Sequence, residues 1–136
     1  MEAIRYAFVS DAPLESIVAL YRAGGWWQET EHARAIIPAM IRGSFAFLVA
    51  SAADGQLVGM GRVIADGASD GYIQDLVVLP QYRGRGIGRE LVQRLVGRCR
   101  ECRLEWIGLL AEQGTEGFYE ALGFHTLVGH TGMRHA

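Results

Sequence analysis

The chain has 136 residues and a net charge of −2, the size of one domain spanning residues 1–136. Half of its residues are hydrophobic and 21% are charged, which excludes disordered, collagen-like and low-complexity classes. The slightly acidic balance argues against a groove that tracks nucleic acid, and no apolar run approaches the ~20 residues of a membrane span.

The opening Met1-Glu2-Ala3-Ile4-Arg5-Tyr6 is not followed by an apolar stretch with a cleavage site, so a cytoplasmic protein is expected. All thirteen cationic side chains are arginines, and there is neither lysine nor asparagine. Cys99 and Cys102 have the spacing of a redox pair or half a zinc site. They fall near the end of an amphipathic helical stretch with no second pair, and are read as small hydrophobes. A redox protein using them remains a competing reading, under which Cys99→Ser would abolish function.

In chain order, Ile4 to Val9 reads as a strand. Ser10 or Asp11 can cap a helix from Pro13, whose stripe of Leu14, Ile17, Val18, Leu20 and Tyr21 has helical spacing and stops at Gly24-Gly25. A second helix is expected from Glu29 to Ile41, interrupted by Pro38 and ended by Gly43. Phe45 to Ala50 and Gln56 to Ala65 form a hairpin about the turn at residues 52–55. The run from Gly71 to Leu79 is apolar enough for the middle of a sheet, and Pro80 ends it. A long helix is expected from Ile87 to Arg103, then a strand over Trp106 to Leu110. A short helix from Thr115 to Leu122 and a last strand over Phe124 to Val128 complete the chain. Strand, long helix and strand imply a right-handed crossover and one parallel pair. The fold class is α/β: one domain with a mixed sheet, mostly antiparallel, and about four helices.

The stretch from Val78 to Arg89 carries the chemistry. It links a buried strand to a long helix, and Gly84, Gly86 and Gly88 let backbone amides approach a ligand closely. The helix start adds unpaired N–H groups and the positive end of its dipole, an arrangement suited to a pyrophosphate. Arg83, Arg85 and Arg89 add charge. The spacing is neither the dinucleotide G-x-G-x-x-G nor a Gly-Lys-Ser/Thr loop, so NAD and ATP are not the expected ligands.

These residues resemble the GNAT superfamily of acyl-CoA-dependent N-acetyltransferases. Its signature, Gln/Arg-x-x-Gly-x-Gly/Ala, is present twice, as Gln81-x-x-Gly84-x-Gly86 and Arg83-x-x-Gly86-x-Gly88. The segment Gly117-Phe118-Tyr119-Glu120-Ala121-Leu122-Gly123-Phe124 is a second family-like stretch. The resemblance covers nearly the whole chain and implies transfer of an acetyl group from acetyl-CoA to an amine. It also implies that two strands splay apart, with the pantetheine arm along Leu76, Val77 and Val78 and the pyrophosphate on the amides of residues 83 to 88, Ile87 among them. Tyr119 matches the tyrosine that protonates the departing thiolate in such proteins. Many relatives place an asparagine after the fifth strand. This chain reads Ala111-Glu112-Gln113-Gly114, with Gln113 as the substitute.

Asp75 is the candidate base, a carboxylate in an apolar strand beside the implied cleft. Alternation places it on the face of Val77 and opposite Leu76 unless a bulge intervenes, and pairing with an arginine such as Arg62 is its alternative role. Tyr21, Trp26, Trp27, Phe45 and Tyr72 are candidate walls for the acceptor, with one tryptophan expected in the core. Asp66, Asp70, Glu29 and Glu31 would favour a cationic amine unless they are simply solvated. A small-molecule amine is expected as acceptor, because no peptide-reading feature is visible. His32, His125, His130 and His135 lack metal-ligand spacing, so no metal is expected. Relatives commonly dimerise, and the sequence marks no interface. The competing class is a module of the same fold that binds acyl-CoA without turnover.

Overall fold

The computed structural model describes residues 2–136. Strand β1 (Arg5–Phe8) leads to helices α1 (Leu14–Ala23) and α2 (Glu31–Gly43). Strands β2 (Ala46–Ser51), β3 (Leu57–Ala65) and β4 (Asp70–Val78) follow, then a single 3-10 turn at Pro80–Tyr82, helix α3 (Ile87–Glu101), strand β5 (Trp106–Leu109) and helix α4 (Glu116–Glu120). The strands lie in chain order, β1 to β5. The first four are antiparallel neighbours, and β4 and β5 are parallel across the α3 crossover. The mixed, mostly antiparallel sheet expected from the sequence is present.

Helix α1 begins after Pro13 with no side-chain cap, whereas Asp11 accepts only from the amide of Ala12. Helix α2 is capped by Thr30, whose hydroxyl accepts from the Ala33 amide at 2.9 Å. Pro38 does not interrupt it. Proline removes one N–H, and because Pro38 is on the solvent side, the carbonyl it leaves unpaired lies near water. Ile37 and Ile41 turn inward, while Ile36 is exposed.

Leu91 and Leu95 of α3 are fully buried against β3 and β4, each worth roughly 1.5–3 kcal/mol relative to exposure. Gly61 makes room for this packing, since a Cβ there would stand 2.9 Å from Leu95 Cδ1 and 3.1 Å from Leu76 Cδ1. Helix α1 packs on β3 and β4 through Ile17, Val18, Leu20 and Tyr21. Cys99 is buried beside Gly71, Cys102 is exposed, and the two thiols are free.

Two departures shape the site. Met60 pairs with Val77 and Arg62 with Gln74, so Gly61 alone faces both Asp75 and Leu76. This is a β-bulge, and Asp75 sits in it at φ 60°. The second departure is at the C-terminus, where the last expected strand does not form. Gly123 (φ 96°) and a turn closed by His130 N–H on the Leu127 carbonyl leave only three residues between them, too few to set a register. Among the described residues β5 is therefore an edge strand, not a central one.

Candidate active site

The parallel pair is short. Asp70 to Ile73 partner Trp106 to Leu109, and beyond that point β4 runs on to Val78 without β5. A cavity of about 1090 Å³ opens where the strands part, lined by Ile73 to Val78 on one side and by Leu109, Leu110 and Glu112 on the other. The splaying implied by the resemblance is thus a matter of strand length: β5 stops while β4 continues through its bulge.

One end of the cavity is built by the glycine-rich loop. Gly84 (φ 77°) and Gly86 (φ 83°) occupy left-handed conformations natural to glycine, and Gly86 caps α3 without any side-chain bond. Six consecutive amides, Gly84 to Arg89, have no acceptor among the described residues, and the helical ladder opens with Glu90 N–H on the Gly86 carbonyl. Unpaired N–H groups and the α3 dipole therefore converge on one place, an anion cradle. Gly84, Gly86, Ile87, Gly88 and Arg89 all line the cavity.

The three arginines divide their work. Arg83 is in the wall, but its Nε donates to the Val78 carbonyl at 2.9 Å and its terminal nitrogen to the Ala23 carbonyl at 3.3 Å. It therefore ties β4 to the end of α1. Arg85 lies outside the lining, because its guanidinium stacks 4.8 Å above the Tyr82 ring and donates to the Gln81 carbonyl. Arg89 lines the cavity and pairs with no carboxylate among the described residues.

The other end is acidic and aromatic. Tyr72, Trp26 and Asp75 line it. Asp75 Oδ2 accepts from Tyr21 Oη at 2.7 Å and from Arg62 Nε at 2.8 Å, so the carboxylate is both in the cavity wall and paired with Arg62. Burial, then the charge and hydrogen bond of Asp75, push the Tyr21 hydroxyl well above the ordinary tyrosine range. Tyr21 itself is buried and does not line the cavity. Trp27 is the core tryptophan: half-buried, it packs 6.4 Å from Tyr21 with Arg34 above its ring, and it too is absent from the wall. Phe45 lies beside Gly67, away from this cavity.

Trp26 Nε1 donates to Glu112 Oε1 at 3.3 Å, bridging the loops that follow α1 and β5 across the cavity. Glu112 stands where Gln113 was expected. The Glu112 carbonyl accepts from both the amide and the hydroxyl of Thr115, and Gly114 (φ 91°) closes the turn, so Gln113 is exposed at its tip and outside the lining. Tyr119, on α4, is in the wall with its ring packed edge-on against Phe118 and Phe124 at 5.0 and 5.8 Å. Burial, and then the charge of Glu112, raise its hydroxyl above the usual range and hold it protonated at neutral pH. The Arg62 pairing is the alternative role the sequence offers for Asp75, whereas Glu112 and the role of Tyr21 escape sequence reading, because their contacts join residues 86 and 54 positions apart.

A parted mixed sheet with an anion cradle at a helix start and an acidic, aromatic opposite end is the frame of this site, and the fold is that of an acetyltransferase. The chain belongs to the GNAT acetyltransferase family, whose model matches residues 8–124. A GNAT family acetyltransferase from Streptococcus pneumoniae superimposes with a TM-score of 0.83 at 30% identity, over 98% of each chain. Serotonin N-acetyltransferase 2 of Oryza sativa is 39% identical over 75 residues, 55% of this chain and 38% of that protein. A histone acetyltransferase of Glycine max is 35% identical over 69 residues, 51% of this chain and 30% of that protein. The chain spans less than half the length of these curated relatives.

Proposed function

We propose that the chain transfers the acetyl group of acetyl-CoA to the primary amine of a small molecule, by direct attack in a ternary complex. The observation that carries this reading is the run of six unpaired amides from Gly84 to Arg89 at the end of a cavity walled by β4 where β5 no longer pairs with it. Those amides and Arg89 suit a pyrophosphate, while the freed edge of Leu76, Val77 and Val78 suits an extended amide-bearing arm.

The amine nitrogen attacks the thioester carbonyl carbon, the new C–N bond forms and the C–S bond breaks. Asp75 takes the proton that the amine must shed, directly or through water, and Tyr119 gives its proton to the departing thiolate. The opposite end of the cavity supports the acceptor class. Its carboxylates, Asp75 and Glu112, attract an ammonium, and Trp26 and Tyr72 offer rings for an alkyl or aryl group. The rice relative's name points to an arylalkylamine, and that of the soybean relative to a protein lysine. The rings of Trp26 and Tyr72 at that end favour the former.

The test is the melting temperature with and without acetyl-CoA, beside ATP and NAD, followed by acetylation assays on 2-phenylethylamine, 1,4-diaminobutane and a lysine-containing peptide. A shift selective for acetyl-CoA with turnover of a small amine supports the reading. A folded protein without the shift rejects the donor, and a shift without turnover of any amine leaves a binding module.

A further inference from the structure

Asp75 is held in an unusual way. The bulge at Gly61 sets it in a left-handed backbone conformation, from which its carboxylate reaches α1 while the next residue, Leu76, turns its side chain toward Leu95. Two donors from different elements, Tyr21 Oη of α1 and Arg62 Nε of β3, meet on the same oxygen, Oδ2. Oδ1 accepts from no donor among the described residues and is not among the fully buried polar atoms left without a partner, and Asp75 is a lining residue of the cavity. A guanidinium facing a carboxylate alone tends to engage both oxygens as a fork. The Tyr21 hydroxyl, fixed by a ring 7% exposed between Trp26 and Trp27, holds Oδ2 at 2.7 Å and keeps the carboxylate from turning both oxygens to Arg62.

We infer that Tyr21 is a positioning residue for the acceptor: it and Arg62 clamp Asp75 Oδ2 so that Oδ1 is presented to an N–H of the incoming amine. The inference rests on the amine-transfer reading above. Tyr21 touches neither substrate, and it acts only through the orientation of Asp75.

Tyr21→Phe deletes one oxygen and keeps the ring packing. With the best amine of the three probes, kcat/KM for the amine is expected to fall about tenfold, because Asp75 both meets the amine and takes its proton, while the affinity for acetyl-CoA, measured by its melting shift, is unchanged. The double variant Tyr21→Phe/Asp75→Asn is expected to have the amine kcat/KM of Asp75→Asn alone, since a residue acting through Asp75 has nothing left to act on. Should Tyr21→Phe fail to fold, Arg62→Lys, which replaces the fixed guanidinium donor by a mobile ammonium, carries the same expectation. An unchanged amine kcat/KM, equal losses for amine and acetyl-CoA, or additive effects in the double variant would overturn the inference. A wild-type protein that turns over no amine instead removes the transfer reading on which it stands.

Discussion

Replacing Gly86 by alanine separates the two duties of that residue, capping α3 and leaving a ligand room. Gly86 has φ 83° and ψ 6°, and a Cβ built there meets nothing within 4 Å, so the change introduces backbone strain without a clash. The left-handed conformation costs an alanine ~1–2 kcal/mol, and the stiffer unfolded chain offsets about 0.4–1 kcal/mol of that. The net loss is then roughly 1 kcal/mol. Unfolding entropy of about 2.1 cal/mol/K per residue over 136 residues is roughly 0.29 kcal/mol/K, so the melting temperature should fall by about 3–4 °C. Acetyl-CoA at 100 times its Kd adds about 2.7 kcal/mol to the wild type, a shift of about 9 °C. Strain that shifts the Gly86 backbone also displaces the unpaired amides on either side of it, which is expected to weaken binding at least tenfold, removing about 1.4 kcal/mol and roughly halving that shift at the same ligand concentration. Differential scanning calorimetry of both proteins, with and without ligand, reads both numbers. A variant that loses its 3–4 °C yet keeps the full ligand shift would refute the assignment of the loop as the pyrophosphate site.

The same electrostatics make further changes readable. Arg89→Gln should weaken acetyl-CoA binding and flatten its salt dependence between low and physiological ionic strength, because an exposed guanidinium attracts an anion through screened charge; an unchanged salt slope in calorimetric titrations counts against Arg89 as an anion contact. Tyr119→Phe should lower kcat by about 100-fold or more, and Glu112→Gln should move the alkaline limb of the kcat profile to lower pH, because Glu112 is the second cause, after burial, of the raised Tyr119 hydroxyl. A limb that stays in place separates Tyr119 from the proton donation. Tyr21 in the folded protein titrates above its unfolded value of 10.0, so it contributes stability that is full below pH 10.0 and lost as pH rises through its folded value; Tyr21→Phe should flatten the alkaline fall in denaturant midpoint above pH 10.0, and an equally steep fall in the variant would contradict the buried hydroxyl as its source.

Much of this fold is legible in the sequence because it depends on local signals. The apolar runs of β2 and β4 and the stripe Leu91, Val92 and Leu95 mark buried elements, and the glycines from Gly84 to Gly88 mark a cradle because they lead directly into a helix start. What stays hidden depends on distant residues meeting. The dipeptide Trp26-Trp27 does not itself say which ring faces the cavity. That is decided by Gly24, where a Cβ would stand 2.7 Å from the Trp26 ring, and by Glu112, 86 positions away. Arg85 and Arg89 look alike in sequence, and only the position of the Tyr82 ring diverts the first from the cavity. The strand expected at Phe124 to Val128 has suitable residues, yet the Leu127–His130 turn takes the segment away from β5.

The bulge at Gly61 explains why chemistry and structure coincide here. A regular β4 would carry Asp75 on the face opposite Gln74, and its carboxylate could not share a side with Arg62, the residue that pairs with Gln74. Inserting one extra residue opposite Gly61 lets Asp75 reach Arg62 and Tyr21 while Leu76 still packs toward α3. The insertion disturbs the ladder on the β3 side just after β4 loses β5 on the other, because the parallel pairing ends at Ile73. Backbone groups released at one place are costly unless something accepts them, and an extended substrate arm bearing amides is a partner of the right kind. The same local break thus orients a carboxylate and opens an edge, so the proposed acceptor and donor ends of the cavity meet at residues 74 to 76 rather than elsewhere on the sheet.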